Sequence, residues 1–329
     1  VMYGTILGIL LIGGRLINEG QMMIGQLTSF LSYVLLILNS LMMMSNVFLL
    51  MTRSLASAER IMEVIDEKID ITDENAKDIA VAKGEIEFDH VWFKYKDTAK
   101  EYVLSDVSFH IKPGQTVGII GQTGSSKTTL VQLIPRLYDV TKGEVKIDGI
   151  NVKEYPVRHL RDAVAMVLQK NTLFSGSLIG NLHWGNENAT LDEIKEACQI
   201  ACVDEFVDRL ADGYDTEMGQ EGVNVSGGQK QRICIARAIL KKPKVLILDD
   251  STSAVDTATE AKIRSGLAEK LPDMTKIIIA QRISSVRHAD QIIIMDRGHV
   301  EAIGTHESLL RDNQIYQEIY ASQKEGADL

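Results

Sequence analysis

A glycine-rich turn of eight residues constrains this chain more than any other stretch. The turn reads GQTGSSKT at residues 121–128, after the apolar run TVGII and before the run TLVQLI. An apolar run, a turn and a helical run in this order predict a strand, a loop and a helix. Gly121, Lys127 and Thr128 match the P-loop pattern, in which glycine, four residues and a second glycine precede lysine and serine or threonine. Ser126 stands where the second glycine is expected, so the match has one departure.

A loop of this kind binds phosphate groups. Backbone N–H groups of the loop and of the following helix form a nest for anions. We expect Lys127 to reach the β- and γ-phosphates and the Thr128 hydroxyl to hold Mg²⁺. The predicted nucleotide contacts are Gly121, Gln122, Thr123, Gly124, Ser125, Ser126, Lys127, Thr128 and Thr129. The alternative interpretation of the loop by itself is a plain Gly/Ser turn in front of a helix.

Composition divides the chain into two unlike parts. Residues 1–50 are strongly apolar, the remainder is mixed and charged, and 329 residues are enough for two domains. The net charge of −10 argues against nucleic acid as a partner. The three cysteines form no CxxC pair and have no zinc-like spacing to histidine, so we expect reduced thiols.

The apolar part predicts membrane helices. Residues 1–13 are too short to cross a bilayer and resemble the end of a spanning helix, so we interpret the chain as part of a longer protein. Residues 24–51 contain no charged residue and are long enough to cross. Arg53 and Arg60 follow, which places that end in the cytoplasm. Polar residues within the span, such as Gln26 and Asn39, either line a pathway or join helices by hydrogen bonds, and both alternatives stay open.

The chain beyond residue 84 alternates between strand and helix patterns. We predict strands at 85–88, 91–95, 103–111, 116–120, 143–149, 163–168, 245–249, 276–280 and 291–295, with residues 175–240 mostly helical. Such alternation around a P-loop predicts an α/β core with a largely parallel sheet. The predicted organisation is a C-terminal fragment of a membrane domain at 1–65, a linker at 66–83 and a nucleotide-binding domain at 84–329.

Two further motifs fit nucleotide chemistry. The run VLILD ends in Asp249, and a buried parallel strand would deliver this carboxylate beside the phosphates to hold Mg²⁺. The next residue, Asp250, stands where a base or a water-orienting carboxylate is expected, although an Asp pair alone is more often a cap or a turn. The segment VSGGQ at 225–229 opens a predicted helix and forms a second anion site. One triphosphate rarely needs two such sites, which suggests that the second acts on a nucleotide held by a neighbouring chain.

Together these motifs resemble the ATP-binding cassette (ABC) transporters, specifically exporters with fused membrane and nucleotide domains. GQTGSSKTT resembles Walker A, LILDD resembles Walker B, and Val225, Ser226, Gly227, Gly228 and Gln229 resemble the LSGGQ signature. The resemblance assigns Gln169 to the Q-loop as a catalytic and Mg²⁺-contacting residue, Ser253 to Asp256 to the D-loop, and Tyr95 to adenine stacking. It covers essentially the whole chain. It implies a P-loop NTPase domain with antiparallel β and helical subdomains, preceded by all-α transmembrane helices of a truncated membrane domain.

The departures from the family pattern concern catalysis. Asp250 replaces the usual Glu, and its side chain is one methylene shorter; Gln281 replaces the usual switch-loop His and cannot carry a positive charge. We therefore expect Asp250, Gln281 and Gln169 to form an ATP site that binds ATP and hydrolyses it slowly, while the intact signature completes the site of a different chain.

This asymmetry predicts one half of a heterodimeric bacterial exporter of drugs or lipophilic compounds. The expected location is the plasma membrane, as a multi-pass protein in contact with lipid and with its nucleotide-binding domain in the cytoplasm. The expected cofactors are ATP and Mg²⁺. The alternatives are a homodimeric exporter of lipid, peptide or drug, and an ATP-binding regulatory module without transport.

Overall fold

A computed structural model describes residues 2–250 and 255–325 of the chain. The chain divides between Asp70 and Ile71 into two compact units. The first unit consists of two helices, α1 (Met2–Asn18) and α2 (Ile24–Ile65). Among the described residues, α2 is the helix that is long and apolar enough to cross a membrane. None of its residues is buried within the described chain, so its apolar surface is left for lipid or other helices.

Hydroxyl groups along α2 hydrogen-bond within the helix itself. The side chains of Ser29, Ser32, Ser40 and Ser45 each donate to the carbonyl oxygen four residues earlier, at 2.9–3.0 Å. These hydroxyls therefore need no partner from outside the helix, which lowers the cost of placing them in an apolar environment.

The second unit contains twelve strands and ten helices among its described residues, besides short 3₁₀ turns. The strands are β1 (Ile86–Phe93), β2 (Leu104–Ile111), β3 (Thr116–Ile120), β4 (Lys142–Ile147), β5 (Ile150–Asn151), β6 (Val164–Val167), β7 (Gly176–Ser177), β8 (Glu217–Met218), β9 (Val245–Asp249), β10 (Thr275–Ile279), β11 (Gln291–Asp296) and β12 (His299–Gly304). The helices are α3 (Lys127–Gln132), α4 (Val157–Ala163), α5 (Leu178–His183), α6 (Leu191–Ile200), α7 (Asp204–Val207), α8 (Gly227–Leu240), α9 (Thr257–Lys270), α10 (Ile283–Val286), α11 (His306–Asp312) and α12 (Gln314–Glu325).

The central sheet has six strands in the order β12-β11-β3-β10-β9-β6. The strands from β11 to β6 pair in parallel, and β12 pairs antiparallel with β11 at the edge. The predicted largely parallel sheet is therefore confirmed. A second, antiparallel sheet has the order β2-β1-β4-β5, and β7 pairs with β8.

Side chains of the central strands alternate between two cores, one on each face of the sheet. In β9, Leu246 and Leu248 belong to one buried cluster, while Val245 and Ile247 belong to the other. A parallel strand that is covered on both faces reads as a continuous apolar run, which is why VLILD was recognisable as a buried strand. The carboxyl ends of β3, β6, β9 and β10 consequently meet at one edge of the sheet.

Four details of the strand prediction are wrong, and one of them is the two-residue strand β5, which pairs with β4 and was not predicted. Residues 85–88 and 91–95 form one strand, β1, whose register against β2 shifts between Phe88 and Val91. A bulge of this kind interrupts the alternation that sequence patterns depend on. Strand β12 was not predicted, because its half-exposed residues give no apolar run. The short pair β7 and β8 interrupts the region predicted to be mostly helical.

Residues 72–82, which lie in the predicted linker, belong to the second unit and hydrogen-bond with the rest of it. The Asp148 carboxylate accepts hydrogen bonds from the backbone N–H groups of Ala82, Lys83 and Glu85 at 2.7–2.9 Å. The Asp73 carboxylate accepts from the backbone of Val157 at 2.8 Å. This part of the chain is therefore fixed to the α/β unit, and the predicted domain limits stay a prediction.

Candidate functional site

A cavity of about 370 Å³ opens at the edge where the central strands end. Its walls come from the turn after β3 and from the segments that follow β6, β9 and β10. The lining residues are 123–129, Gln169, Asp249, Asp250, Ile279 and Gln281. In parallel sheets, ligands bind at the carboxyl ends of the strands, so the fold itself places the candidate site here.

Lys127 closes the loop on itself. Its ammonium donates to the carbonyl oxygens of Gly121 and Gln122 at 2.8 and 2.9 Å, and to the Ser125 hydroxyl at 3.2 Å. Burial lowers the pKa of Lys127, and the carboxylates of Asp249 and Asp250 oppose this shift. These hydrogen bonds hold the positive charge of Lys127 at the cavity, where it can bind a phosphate group.

Ser126 has a left-handed backbone conformation, with φ of 70° and ψ of 21°. Left-handed geometry suits glycine and costs other residues about 1 kcal/mol or more. The P-loop pattern therefore has glycine at this position for a backbone reason, and Ser126 occupies it with strain. The sequence identified Ser126 as a departure but gave no reason for it.

Gly121 is required for close packing. A Cβ atom at this position would lie 2.2 Å from the carbonyl oxygen of Met295 and 2.7 Å from the Ser125 hydroxyl oxygen. The end of β3 consequently lies against β11 too closely for any side chain, which fixes where the loop begins.

Thr128 and Asp249 lie together on the floor of the cavity. The Thr128 hydroxyl donates to Oδ1 of Asp249 at 3.2 Å. Burial raises the pKa of Asp249, and the hydrogen bond from Thr128 opposes that shift. A hydroxyl and a carboxylate are hard oxygen donors that fit Mg²⁺, which typically takes few protein ligands and completes its shell with water and phosphate. Among the described residues, no group of three or more His, Cys, Asp or Glu side chains is arranged to hold a metal ion.

Asp250 accepts hydrogen bonds from two side-chain amides. Its Oδ2 lies 2.9 Å from Nε2 of Gln281 and 3.2 Å from Nε2 of Gln169. Asp250 also has a positive φ of 47°. Burial raises its pKa, while the amide of Gln281 and the charge of Lys127 oppose that shift. The structure therefore brings together the three residues predicted to be catalytic, although Gln281 lies 31 positions and Gln169 lies 81 positions from Asp250 in the sequence. Their catalytic roles stay predictions.

Tyr95 lies beside the loop without lining the cavity. Its hydroxyl is 2.8 Å from Oγ1 of Thr129. Its ring packs edge-on against Phe93 and Tyr138, with centroid distances of 4.9 and 5.1 Å, and 49% of the residue is exposed. A braced, half-exposed ring offers a face on which a base can stack.

The predicted signature residues lie at the start of α8. Ser226 is the N-cap: its hydroxyl accepts from the backbone N–H of Gln229 at 3.2 Å, and Oε1 of Gln229 accepts from the N–H of Ser226 at 2.9 Å. Ser226 and Gly227 are exposed, and Val225 is half-buried. Within the part of the chain that the structure describes, residues 225–229 contribute nothing to the cavity lining. The structure thus keeps the two predicted anion sites apart within this chain.

The predicted D-loop falls partly outside the described residues, which exclude Ser253 and Ala254. Asp256 is described, as the N-cap of α9: its carboxylate accepts from the N–H of Thr259 at 2.9 Å. Hydrogen bonds to Thr259 hold the pKa of Asp256 below its usual range. Helix capping accounts for the contacts of Asp256.

The sequence did not point to Gln323, which contacts the segment carrying Gln281. Nε2 of Gln323 donates to the carbonyl oxygen of Gln281 at 2.7 Å, and Oε1 accepts from the N–H of Ile283 at 2.8 Å. The available signal was the helical spacing of Tyr316, Ile319, Tyr320 and Gln323, which places all four on one face.

Comparison with known proteins identifies the domain around the cavity. Residues 104–253 match the family model described as ABC transporter. The chain carries an ABC transporter domain. Domains of this family generally use ATP with Mg²⁺, in agreement with the oxygen donors at the cavity.

The similarity to ABC transporters extends over nearly the whole chain. The chain is 43% identical over 325 residues to the uncharacterized ABC transporter ATP-binding protein YfiB of Bacillus subtilis (strain 168), covering 98% of the chain and 56% of that protein. It is 40% identical over 311 residues to the putative multidrug export ATP-binding/permease protein YgaD of the same organism, covering 94% of the chain and 53% of that protein.

A solved structure of a bacterial Atm1-family ABC exporter with ATP bound matches with a TM-score of 0.79 and 32% identity, covering 98% of the chain and 57% of that structure. The chain therefore has the fold of the corresponding part of an ABC exporter. It spans just over half the length of the curated relatives it matches.

Proposed function

We propose that this chain belongs to one half of an ATP-driven heterodimeric exporter. Its own cavity binds ATP through residues 121–129, with Mg²⁺ held by Thr128, Gln169 and Asp249 and adenine stacked on Tyr95. Hydrolysis there is slow. The signature at 225–229 completes a faster site on a second, different half-transporter chain.

The arrangement of Asp250 carries this proposal. A general base must reach the proton it accepts within hydrogen-bond distance, and a misplacement of about 1 Å can cost roughly a hundredfold in rate. Asp250 is shorter than glutamate, and its Oδ2 already accepts two amide hydrogen bonds. Because both hydrogen bonds come from protein side chains, they favour an Asp250 carboxylate that is held by the protein over one that orients water. Gln281 adds no positive charge beside a γ-phosphate.

The exposed start of α8 supports the role of a second chain. The first N–H groups of a helix have no partner within the helix and carry the positive end of its dipole. Gly227 is exposed at this end, and a glycine leaves its N–H accessible to an incoming phosphate. Because this end does not line the chain's own cavity, its anion site is available to a nucleotide on another chain.

The membrane location and cargo rest on α2 and on the relatives. The length and apolar surface of α2 support a position in a membrane, and we propose the bacterial plasma membrane, with a multi-pass full-length protein and a cytoplasmic ATP-binding domain. Several relatives have names that include multidrug export, which supports drugs or other lipophilic compounds as cargo.

The test compares ATP hydrolysis by the full-length protein alone with hydrolysis by the same protein co-purified with a second half-transporter chain that has Glu and His at the positions of Asp250 and Gln281. We expect turnover to rise at least tenfold with the partner. We also expect Asp250→Asn to leave the turnover of the pair nearly unchanged, because the faster site uses the partner's base. Fast hydrolysis by the chain alone would overturn the proposal.

One observation favours a second candidate, a homodimeric exporter. The P-loop and the signature both lie on this chain, so two copies could form two equal sites. A transporting complex that contains a single kind of chain by intact mass would support this alternative.

A further inference from the structure

The last described helix, α12, packs on the α/β unit through one face. Tyr316 is fully buried, and its hydroxyl lies 2.8 Å from Nδ1 of His306. Ile319 and Tyr320 pack against the same core. Gln323 lies on the same helical face as Tyr316, Ile319 and Tyr320. At this position the helical pattern predicts an apolar residue, and the chain has an amide there instead.

The amide of Gln323 pairs with the backbone on both sides of Arg282. Its Nε2 donates to the carbonyl oxygen of Gln281 at 2.7 Å, while its Oε1 accepts from the N–H of Ile283 at 2.8 Å. The N–H of Ile283 belongs to the first residue of α10, which has no acceptor within its own helix. A primary amide supplies one donor and one acceptor in a fixed geometry, as these two backbone groups require.

The segment that Gln323 holds carries the side chain of Gln281 into the cavity. Nε2 of Gln281 donates to Oδ2 of Asp250 at 2.9 Å. The contacts therefore run from α12 to the backbone of residues 281–283, then to the Gln281 side chain and to Asp250. Each step is a hydrogen bond of 2.9 Å or less.

We propose that Gln323 is a positioning residue of the nucleotide site. It fixes the backbone on which Gln281 stands and so sets the place of the Gln281 amide at the γ-phosphate end of the cavity. Through these contacts, α12 contributes to the geometry of the ATP site. This inference rests on the proposed use of the cavity for ATP, and it does not depend on whether the site hydrolyses ATP quickly or slowly.

The experiment uses Gln323→Met in the full-length protein, because methionine keeps the length and helix propensity of the side chain and removes both hydrogen bonds. Gln317→Met is the matched control: Gln317 lies on the same helix and donates to the carbonyl oxygens of Leu310 and Arg311 at 2.9 and 3.1 Å, away from the cavity.

The first readout is hydrogen–deuterium exchange of the Ile283 amide without nucleotide. We expect exchange about fivefold to tenfold faster in Gln323→Met, the effect of losing about one net hydrogen bond, and no change in Gln317→Met. The second readout is the ratio of the ATP and ADP dissociation constants. ATP should bind about fivefold more weakly in Gln323→Met while ADP is unaffected, since only the γ-phosphate end of the cavity is disturbed.

Gln323→Glu separates the two hydrogen bonds. Glutamate keeps an acceptor for Ile283 and loses the donor to Gln281, so Ile283 exchange should stay near the wild-type rate while ATP binding weakens.

Unchanged Ile283 exchange in Gln323→Met would overturn the proposal, as would equal weakening of ATP and ADP, or the same changes in Gln317→Met. Fast hydrolysis by the unmodified chain alone would overturn the proposed function. The comparison of Gln323→Met with Gln317→Met would still test the role of Gln323.

Discussion

Two glycine-rich turns of this protein each lead into a helix, yet their surroundings differ completely. Lys127, in the loop at residues 121–129, lines a cavity together with the carboxylates of Asp249 and Asp250. At the start of α8, the side chains of Ser226 and Gln229 each hydrogen-bond with the backbone N–H of the other residue, and Ser226 is exposed. The same local pattern therefore forms part of a recessed cavity in one place and an open half-site, residues 225–229, in the other. This difference supports the proposal that the second turn binds a nucleotide held by another chain.

Removing the lysine of the cavity should have the largest effect. Lys127→Ala takes away the half-buried cation of the cavity, and we expect ATP affinity of the full-length protein to fall by about a hundredfold or more. Titration calorimetry measures it, with Lys112→Ala on the exposed turn after β2 as the control. A loss below about threefold would mean that ATP does not bind in this cavity.

Placing a negative charge at the open half-site should come next. Ser226→Asp keeps a good N-cap and so preserves α8, but its carboxylate repels phosphate. Hydrolysis by the paired complex should fall by about a hundredfold, the scale of losing a key electrostatic contact, while ATP binding in the chain's own cavity is unchanged.

The matched control for the open half-site is Thr305→Asp. Thr305 caps α11 through the same reciprocal pairing, with Ser308 as its partner. If Ser226→Asp and Thr305→Asp reduce hydrolysis equally, the half-site does not differ in function from an ordinary helix cap.

Lengthening the carboxylate of Asp250 tests the proposal that hydrolysis at this cavity is slow. Asp250→Glu should raise hydrolysis at this site by about tenfold, because the added methylene extends the reach of the base toward water. The measurement uses the complex that also carries Ser226→Asp, in which the other site is silent. Asp250→Asn gives the baseline. If Asp250→Glu does not exceed that baseline, the limitation lies with Gln281 or Ser126.

The smallest effect concerns the backbone of the loop. Ser126→Gly removes the strain of the left-handed conformation, partly offset by the greater freedom of glycine in the unfolded chain. We expect the free energy of unfolding to rise by about 0.5–1 kcal/mol, measured by urea denaturation. Ser125→Gly is the control and should be destabilising, because the buried Ser125 hydroxyl accepts a hydrogen bond from Lys127. A stability loss in Ser126→Gly would contradict the strain argument.

Local sequence patterns predicted the parts of the site that depend on neighbours along the chain. The strand, loop and helix around Lys127, the buried strand that ends in Asp249 and the capped helix after Ser226 all follow from spacing within about ten residues. Strands β5, β7, β8 and β12 were missed, because two-residue strands are too short to show a period and the half-exposed edge strand β12 has no continuous apolar run.

The sequence by itself determined which chemical groups this protein could bring to a phosphate, because the motifs are local and each predicts its own turn or strand. Only the tertiary structure decided how those groups meet. It placed Gln169 and Gln281 on the same oxygen of Asp250, gave Ser126 its left-handed backbone, and joined Gln323 to the segment of Gln281. These contacts link residues 31 to 81 positions apart. Their geometry is set by the order and register of strands in the sheet, which no local pattern contains.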